Sequence, residues 1–249
     1  MPFRVATLNL EQDHKRWDAR RELIVEQMGE LKPDVFALNE VCLPRQTAHW
    51  LQRAAKERFG IDYALVQQTR TNGLSEVEGE ALLTRFPIVE TGNLDFRTRD
   101  IVALVARLLV DGQPLDVYVT HLYASSGDDS LRLFQVQQLL AWIDRRADGT
   151  ARIACGDFNA MPDKPSAALM ATRFKPTQQA PTAPTPLAGS DGGVTHPGRP
   201  RMSQCIDYIW TDAPVRVAGS GVCFNQPSRG DATLWPSDHA GVWADLTLA

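Results

Sequence analysis

Two periodicities alternate along the chain, and that alternation restricts it to a layered α/β fold. Short apolar runs read as strands at Phe3–Leu10, Val35–Leu38, Tyr63–Gln68, Glu80–Thr84, Ile88–Asn93, Ile101–Val110, Leu115–His121, Ile153–Gly156, Cys205–Trp210, Val215–Val222 and Gly241–Leu248. Segments with apolar residues three and four apart read as helices over Asp18–Leu31, Pro44–Phe59 and Ser130–Arg146. Pro33-Asp34 and Gly60 stop the first two helices, and Asp111-Gly112 is a hairpin signal. From Lys175 to Pro200 the pattern gives way to prolines and glycines, which predicts a long loop of functional or mobile character. With no internal repeat and no linker between two cores, residues 1–249 are expected to form one domain.

The most informative residues are the polar ones at the strand margins. Asn9 ends the first apolar run, Glu40 the second, and His121 the run Val117–Thr120. Asp157 and Asn159 follow Ile153–Gly156, Asp207 lies inside Ile206–Ile209, and Asp238-His239 precede the closing strand. Carboxylates and imidazoles are costly beside buried strands unless they are paired or hold an ion. One such residue reads as a cap or a turn; six such places in one chain read as a site built where strand ends converge. Acidic oxygens with an amide oxygen suit a hard cation such as Mg²⁺ or Mn²⁺ rather than zinc or copper. Two histidines with separate acidic partners suit a phosphoryl group, because each carboxylate fixes a ring and raises its pKa.

The net charge of −4 argues against bulk binding to a polyanion without excluding a local basic groove. Without Glu40, Glu78, Asp157, Asp207 and Asp238, 25 acids would face 26 bases, so the acidic excess is no larger than this site. Cys42, Cys155, Cys205 and Cys223 are scattered without a C-x-x-C pair and read as buried thiols of a reducing compartment. No signal-peptide pattern and no apolar run long enough to span a membrane is seen, so a cytoplasmic location is expected, with no obligate protein partner.

The order Asn9, Glu40-Val41, Thr84-Arg85-Phe86-Pro87-Ile88, Thr120-His121-Leu122, Gly156-Asp157-Phe158-Asn159, Ile206-Asp207-Tyr208-Ile209 and Ser237-Asp238-His239 resembles the endonuclease/exonuclease/phosphatase superfamily over essentially the whole chain. The resemblance implies a four-layer α/β/β/α sandwich of two mainly antiparallel sheets flanked by helices, with the site at one end. It implies Glu40 as the principal ligand of Mg²⁺ or Mn²⁺, with Asn9 and Asp238 nearby, bound directly or through water. It implies that Asp157 orients or deprotonates the attacking water, and that Asn159 holds that water or a phosphate oxygen. It also implies that His239, held by Asp207, meets the phosphoryl oxygens. His121 matches a second histidine of some branches; its partner is Glu78 or Glu80, which share a strand face, and Glu78 is favoured. Arg99 is a phosphate contact by the same resemblance. Asn39 stands where many relatives have Gln and, on a regular strand, faces away from Glu40, so little effect of the difference is expected.

The remaining polar residues have plainer readings. His14 and His49 are expected to be solvated, and His196 belongs to a turn in the long loop. The pairs Arg20-Arg21 and Arg145-Arg146 read as solvated helix faces. Trp235, beside Pro236 and Ser237, is a candidate to face substrate or to pack, while Cys155 and Cys205 are expected to pack beneath the site. Together these features predict a divalent-metal-dependent phosphoesterase that uses activated water. Its substrate is a phosphate ester: a nucleic acid cut by a nuclease or repair phosphodiesterase, a small phosphodiester or phosphomonoester, or a phospholipid head group such as sphingomyelin's. A non-catalytic binding module is disfavoured by the full set of site residues.

Overall fold

Strands that are apolar on both faces need cover on both sides, and the computed structural model supplies it by packing two sheets on each other with helices outside. It describes residues 1–11, 16–69, 78–124, 127–146, 148–177 and 204–249. The elements run β1 (Phe3–Asn9), α1 (Trp17–Leu31), β2 (Val35–Cys42), α2 (Thr47–Phe59), β3 (Ala64–Thr69), β4 (Glu78–Thr84), β5 (Ile88–Asp95), β6 (Val102–Val110), β7 (Gln113–Thr120), α3 (Ser130–Arg145), β8 (Ala151–Asp157), α4 (Pro165–Ala171), β9 (Lys175–Pro176), β10 (Asp207–Thr211), β11 (Val215–Cys223) and β12 (Gly241–Leu248).

The strands form two six-stranded sheets, ordered β11-β12-β1-β2-β4-β3 and β5-β6-β7-β8-β10-β9. Each sheet holds one parallel pair, β1/β2 in the first and β7/β8 in the second, and the other pairs are antiparallel. A parallel pair needs a long crossover, supplied here by α1 and α3. Both sheets are therefore mixed and mainly antiparallel, with the helices outside.

Strand alternation assigns the faces. Phe3 and Val5 on β1, Val35 and Ala37 on β2, Val117 and Val119 on β7, and Ile153 and Cys155 on β8 meet in one core between the sheets. Ala6, Leu8, Phe36 and Leu38 point the other way, onto Ile24 and Met28 of α1 and Leu51 of α2. Tyr118, Ala154, Tyr208 and Trp210 pack outward against Val136, Leu139 and Ile143 of α3 and Met170 of α4. The four layers are thus the direct product of period-two strands and helices with one apolar face.

Two elements were not expected from the sequence. α4 is short, opens with Pro165 as its first residue, and is tied to the start of α3 because Asp129 accepts from the Ser166 N–H and hydroxyl at 2.7 and 2.8 Å. β9 adds two residues of the expected loop to the edge beside β10. The rest of that loop from residue 178 onward, with His196, lies outside the described residues, as does His14. All four cysteines are free and buried, as expected. No helix among the described residues is long and apolar enough to cross a membrane.

Candidate active site

The site lies where the core between the sheets runs out of apolar residues. Asn9 continues the face of Val5 and Thr7, Asn39 that of Val35 and Ala37, and His121 that of Val119. Asp157 continues the face of Cys155, Asp207 precedes Ile209, and Glu78 and Glu80 precede Leu82. Each of these polar side chains occupies the next or next-but-one position of a register that is apolar further along the strand. The β1/β2 register sets Asn9 opposite Asn39, and the β8/β10 register sets Asp157 opposite Asp207.

Glu40 departs from this alternation. It has φ 54°, and the β2/β4 register shifts between Leu38 and Val41. A bulge of this kind re-aims a side chain. The Glu40 side chain is 14% exposed, and its Oε1 accepts from Asn9 Nδ2 at 2.9 Å. Burial, the largest cause, pushes the Glu40 carboxyl up to about 8. Asp238 and Glu78 push it the same way by like charge, while the Asn9 hydrogen bond and His239 oppose them.

Asp157 is the hub. Its Oδ2 accepts from Asn9 Nδ2 at 3.2 Å and lies 3.6 Å from His121 Nε2 and 3.9 Å from His239 Nε2. Its Oδ1 accepts from the Asn159 N–H at 2.8 Å. Burial first, then Asp207, raises the Asp157 pKa against the opposing effects of His239, Asn159 and Asn9. His239 Nδ1 stands 3.0 Å from Asp207 Oδ2. Burial alone would hold that imidazole neutral, but Asp207, Asp157 and Asp238 outweigh it and lift its pKa well above the ordinary value.

Asn159, with φ 48°, donates from Nδ2 to Leu122 O at 2.9 Å, which fixes it beside Asp157. Ser237 ties the Asp238-His239 turn to β1 by donating to Asn9 O at 2.6 Å and accepting from the His239 N–H at 3.2 Å. His121 Nε2 is also 3.9 Å from Glu40 Oε1. Asn9, Glu40, His121, Asp157, Asn159, Asp207, Asp238 and His239 are thus brought together, and Glu78 lies buried on the same inter-sheet face. Arg99 stands on the exposed β5–β6 hairpin with its guanidinium 5.4 Å over the Tyr123 ring. Trp235 is buried against Ala240 and Val222, the packing alternative of its sequence reading.

Three residues carry more of the arrangement than the sequence indicated. Asn9 presents a donor, not a lone pair, to the carboxylates, because its oxygen accepts the Glu11 N–H at 2.9 Å. Asn39 is buried and bonded on three sides, accepting from the Asp157 N–H and donating to Thr120 O and Glu80. Arg20 is not a solvated helix residue. It is fully buried, donates to Leu10 O and Pro236 O at 2.9 Å each, and lies 3.4 Å from Glu11. A signal was present for Arg20, which shares the face of Trp17, Ile24 and Met28 at helical spacing.

The donor set fits a hard divalent cation. Glu40 and Asp238 crowd like charge into one place, which a cation relieves. Asp157, Asp207 and His239 also offer ligand atoms within 4.8 Å of one another. In that second group the acidic neighbours raise the His239 pKa, which works against an imidazole lone pair being free for a metal.

A family model described as the endonuclease/exonuclease/phosphatase family matches residues 6–239. Nocturnin of Xenopus laevis is 26% identical over 263 residues, covering 94% of this chain and 65% of its own length. Nocturnin of Homo sapiens is 25% identical over 263 residues, covering 94% of this chain and 59% of its own. The chain therefore spans about three-fifths of the length of these curated relatives. Among solved structures, the human Nocturnin catalytic domain with bound sulfate anion has a TM-score of 0.74 at 22% identity, covering 100% of this chain and 94% of that one. The D. rerio TDP2 complex with single strand DNA product has a TM-score of 0.77 at 17% identity, covering 99% of each. An endonuclease/exonuclease/phosphatase from Bacteroides vulgatus has a TM-score of 0.80 at 16% identity, covering 100% of each. At these identities the structural likeness is one of fold, while the family model spans nearly the whole chain: this protein belongs to the endonuclease/exonuclease/phosphatase family.

Proposed function

We propose that this chain is a Mg²⁺- or Mn²⁺-dependent phosphoric ester hydrolase that cleaves a P–O bond with an activated water. The observation that carries this reading is the position of the Asp157 carboxylate, within 4 Å of both His121 and His239 and bonded to the amide that also holds Glu40. A bound divalent cation would supply charge for a phosphoryl oxygen and the leaving oxygen. Glu40 and Asp238 are assigned to hold it, and Asn9 braces Glu40 from the side.

The protein's own groups do the remaining work. Asp157, which its surroundings make more basic than an ordinary carboxylate, accepts a proton from water and orients it, with Asn159 alongside. His239 enters as a cation and donates from Nε2 to phosphoryl oxygen as charge grows there, while Asp207 fixes its ring through Nδ1. His121, 3.6 Å from Asp157 through Nε2, offers a second donor. Glu78, buried with Glu80 on the inter-sheet face, is assigned as the carboxylate serving His121. Arg99, over Tyr123 on the rim, is assigned to a substrate phosphate outside the reacting centre.

Hydrolysis of bis(p-nitrophenyl) phosphate with Mg²⁺ or Mn²⁺ tests the chemistry. Glu40→Ala is expected to abolish it with the fold intact, and equal rates in the variant would remove the assignment. The same assay on plasmid DNA, abasic DNA, sphingomyelin vesicles and small monoesters tests the substrate class. A nucleic-acid substrate is supported by the DNA-bound state of the TDP2 relative and by the cation and aromatic face that Arg99 and Tyr123 offer on the rim.

A further inference from the structure

Asn39 sits where the two sheets touch at the floor of the site, and it is fully buried. Its Oδ1 accepts from the Asp157 N–H at 2.8 Å, and its Nδ2 donates to Thr120 O at 3.1 Å and to Glu80. One side chain thereby joins β2 and β4 of the first sheet to β7 and β8 of the second. A planar amide suits the position because it offers an acceptor and two donors on a single rigid group. Room for it comes from Gly156. That residue has φ 130°, and a Cβ there would stand 2.0 Å from Thr120 O and 2.9 Å from Asn39 Oδ1.

The three groups it meets flank the site on both sides. The Asp157 N–H belongs to the carboxylate that faces both histidines, and the Thr120 carbonyl precedes His121. Asn39 itself precedes Glu40, which lies in the bulge where the regular β2/β4 ladder is interrupted. The β2/β4 ladder does not hold Glu40, and the Asn39 amide ties the residue before it to the second sheet, beside the Leu10 N–H bond to Asn39 O at 3.0 Å. We propose that Asn39 is a positioning residue: it sets the separation of the Glu40 carboxylate, which would hold the cation, from Asp157 and His121. This inference rests on the hydrolase function proposed above. Asn39 touches no reacting atom. It acts through the residues it holds, and a misplacement of about 1 Å is worth about 100-fold in rate.

A merely structural amide would change how much protein folds. It would not change the rate per folded molecule. Asn39→Ser and Asn39→Asp, made in the full chain, separate the two. Serine shortens the group, whereas aspartate keeps its size and an acceptor for the Asp157 N–H but loses the donors. Turnover of bis(p-nitrophenyl) phosphate with Mg²⁺, Mn²⁺ binding by electron paramagnetic resonance and the folded fraction by circular dichroism are measured together. For whichever variant folds, turnover per folded molecule is expected to fall about 100-fold while Mn²⁺ affinity changes by less than about threefold, since Glu40 and Asp238 remain. A folded variant with wild-type turnover overturns the proposal, and so does a parallel loss of Mn²⁺ binding. Wild-type protein with no metal-dependent hydrolysis of any phosphate ester would overturn the hydrolase function first, and the role of Asn39 with it.

Discussion

The Nδ1–H of His239 donates to Asp207 Oδ2 across 3.0 Å, with both side chains buried. Burial disfavours the imidazolium, and Asp207, by charge and by hydrogen bond, together with Asp157 and Asp238 more than restores it. The raised pKa makes His239 a cation at neutral pH, and the stability it contributes is fully present below its ordinary value and lost as pH rises through the higher folded one. Asp207→Asn should therefore lower the His239 pKa and move the alkaline limb of the pH–rate profile to lower pH. Imidazole chemical shifts of metal-free protein, followed against pH by NMR, report it directly. An unchanged titration would detach Asp207 from His239.

Glu40 has the opposite consequence for the metal-free protein. With its carboxyl pushed up to about 8, Glu40 carries a proton at pH 7 that an unfolded chain would have lost. The folded state then binds more protons than the unfolded state between the ordinary carboxyl value and about 8, so stability falls as pH rises through that window. A divalent cation must displace this proton, so affinity should weaken as pH drops below about 8, with proton release on binding. Titration calorimetry of Mg²⁺ at pH 7 in two buffers of different ionisation enthalpy should give different apparent heats. Melting of the metal-free protein should fall between pH 5 and 8, and Mg²⁺ at a hundredfold excess over Kd should restore about 2.7 kcal/mol. Glu40→Gln should lose both effects, and buffer-independent heats in the wild type would count against the assignment of Glu40.

Much of this site was legible because strand alternation is simple physics. An apolar run that ends in Asn9, His121 or Asp157 predicts which face that residue takes, and the four-layer arrangement follows from the same alternation plus two crossover helices. The resemblance supplied the roles; composition and spacing could not. What stayed hidden were departures from regularity. A bulge at Glu40 is invisible in an apolar pattern, and the alternation that turned Asn39 away from Glu40 turned it straight into the inter-sheet layer, where its amide had partners on other strands. Pairings of that kind join residues 39, 80, 120 and 157, which only the folded register brings together. α4 is too short to show a periodicity of its own.

Arg20 should be a stability residue with a functional signature. Its guanidinium joins the carbonyl after Asn9 to the carbonyl of Pro236, two residues before Asp238, and lies beside Glu11. Burial lowers its pKa, while Glu11, Asp238 and Glu40 act to keep it charged. Arg20→Ala removes one partner of a buried pair and strands two carbonyls, an effect of about 3–5 kcal/mol in urea denaturation. Arg20→Lys keeps the charge but lacks the planar fork, so only part of that stability should return. A loss below about 1 kcal/mol in the alanine variant would show that these contacts contribute little.

The far end of the second sheet separates folding from chemistry. Asp116 on β7 is fully buried and accepts twice from Arg107, Oδ1 from Nε at 2.7 Å and Oδ2 from Nη2 at 2.9 Å, with Arg107 also reaching Asp148 at 2.8 Å. The β6/β7 register sets Arg107 opposite Asp116, whereas Ala103 stands opposite Thr120, so the pair lies four residues down β7 from the site end. Asp116→Ala leaves the Arg107 guanidinium partly buried without its main partner. For buried pairs that loss is about 3–5 kcal/mol, and the 17% exposure of the arginine side chain places the expected value at the lower end. Because the ion pairs of Asp116 and Arg107 among the described residues run to one another and to Glu90, Asp148 and Arg146, none of them a site residue, turnover per folded molecule and Mg²⁺ dependence should remain at wild-type levels below the melting transition. Activity per folded molecule that fell in step with stability would mean that the two ends of the sheet are coupled, and that the inter-sheet core transmits strain to Asp157.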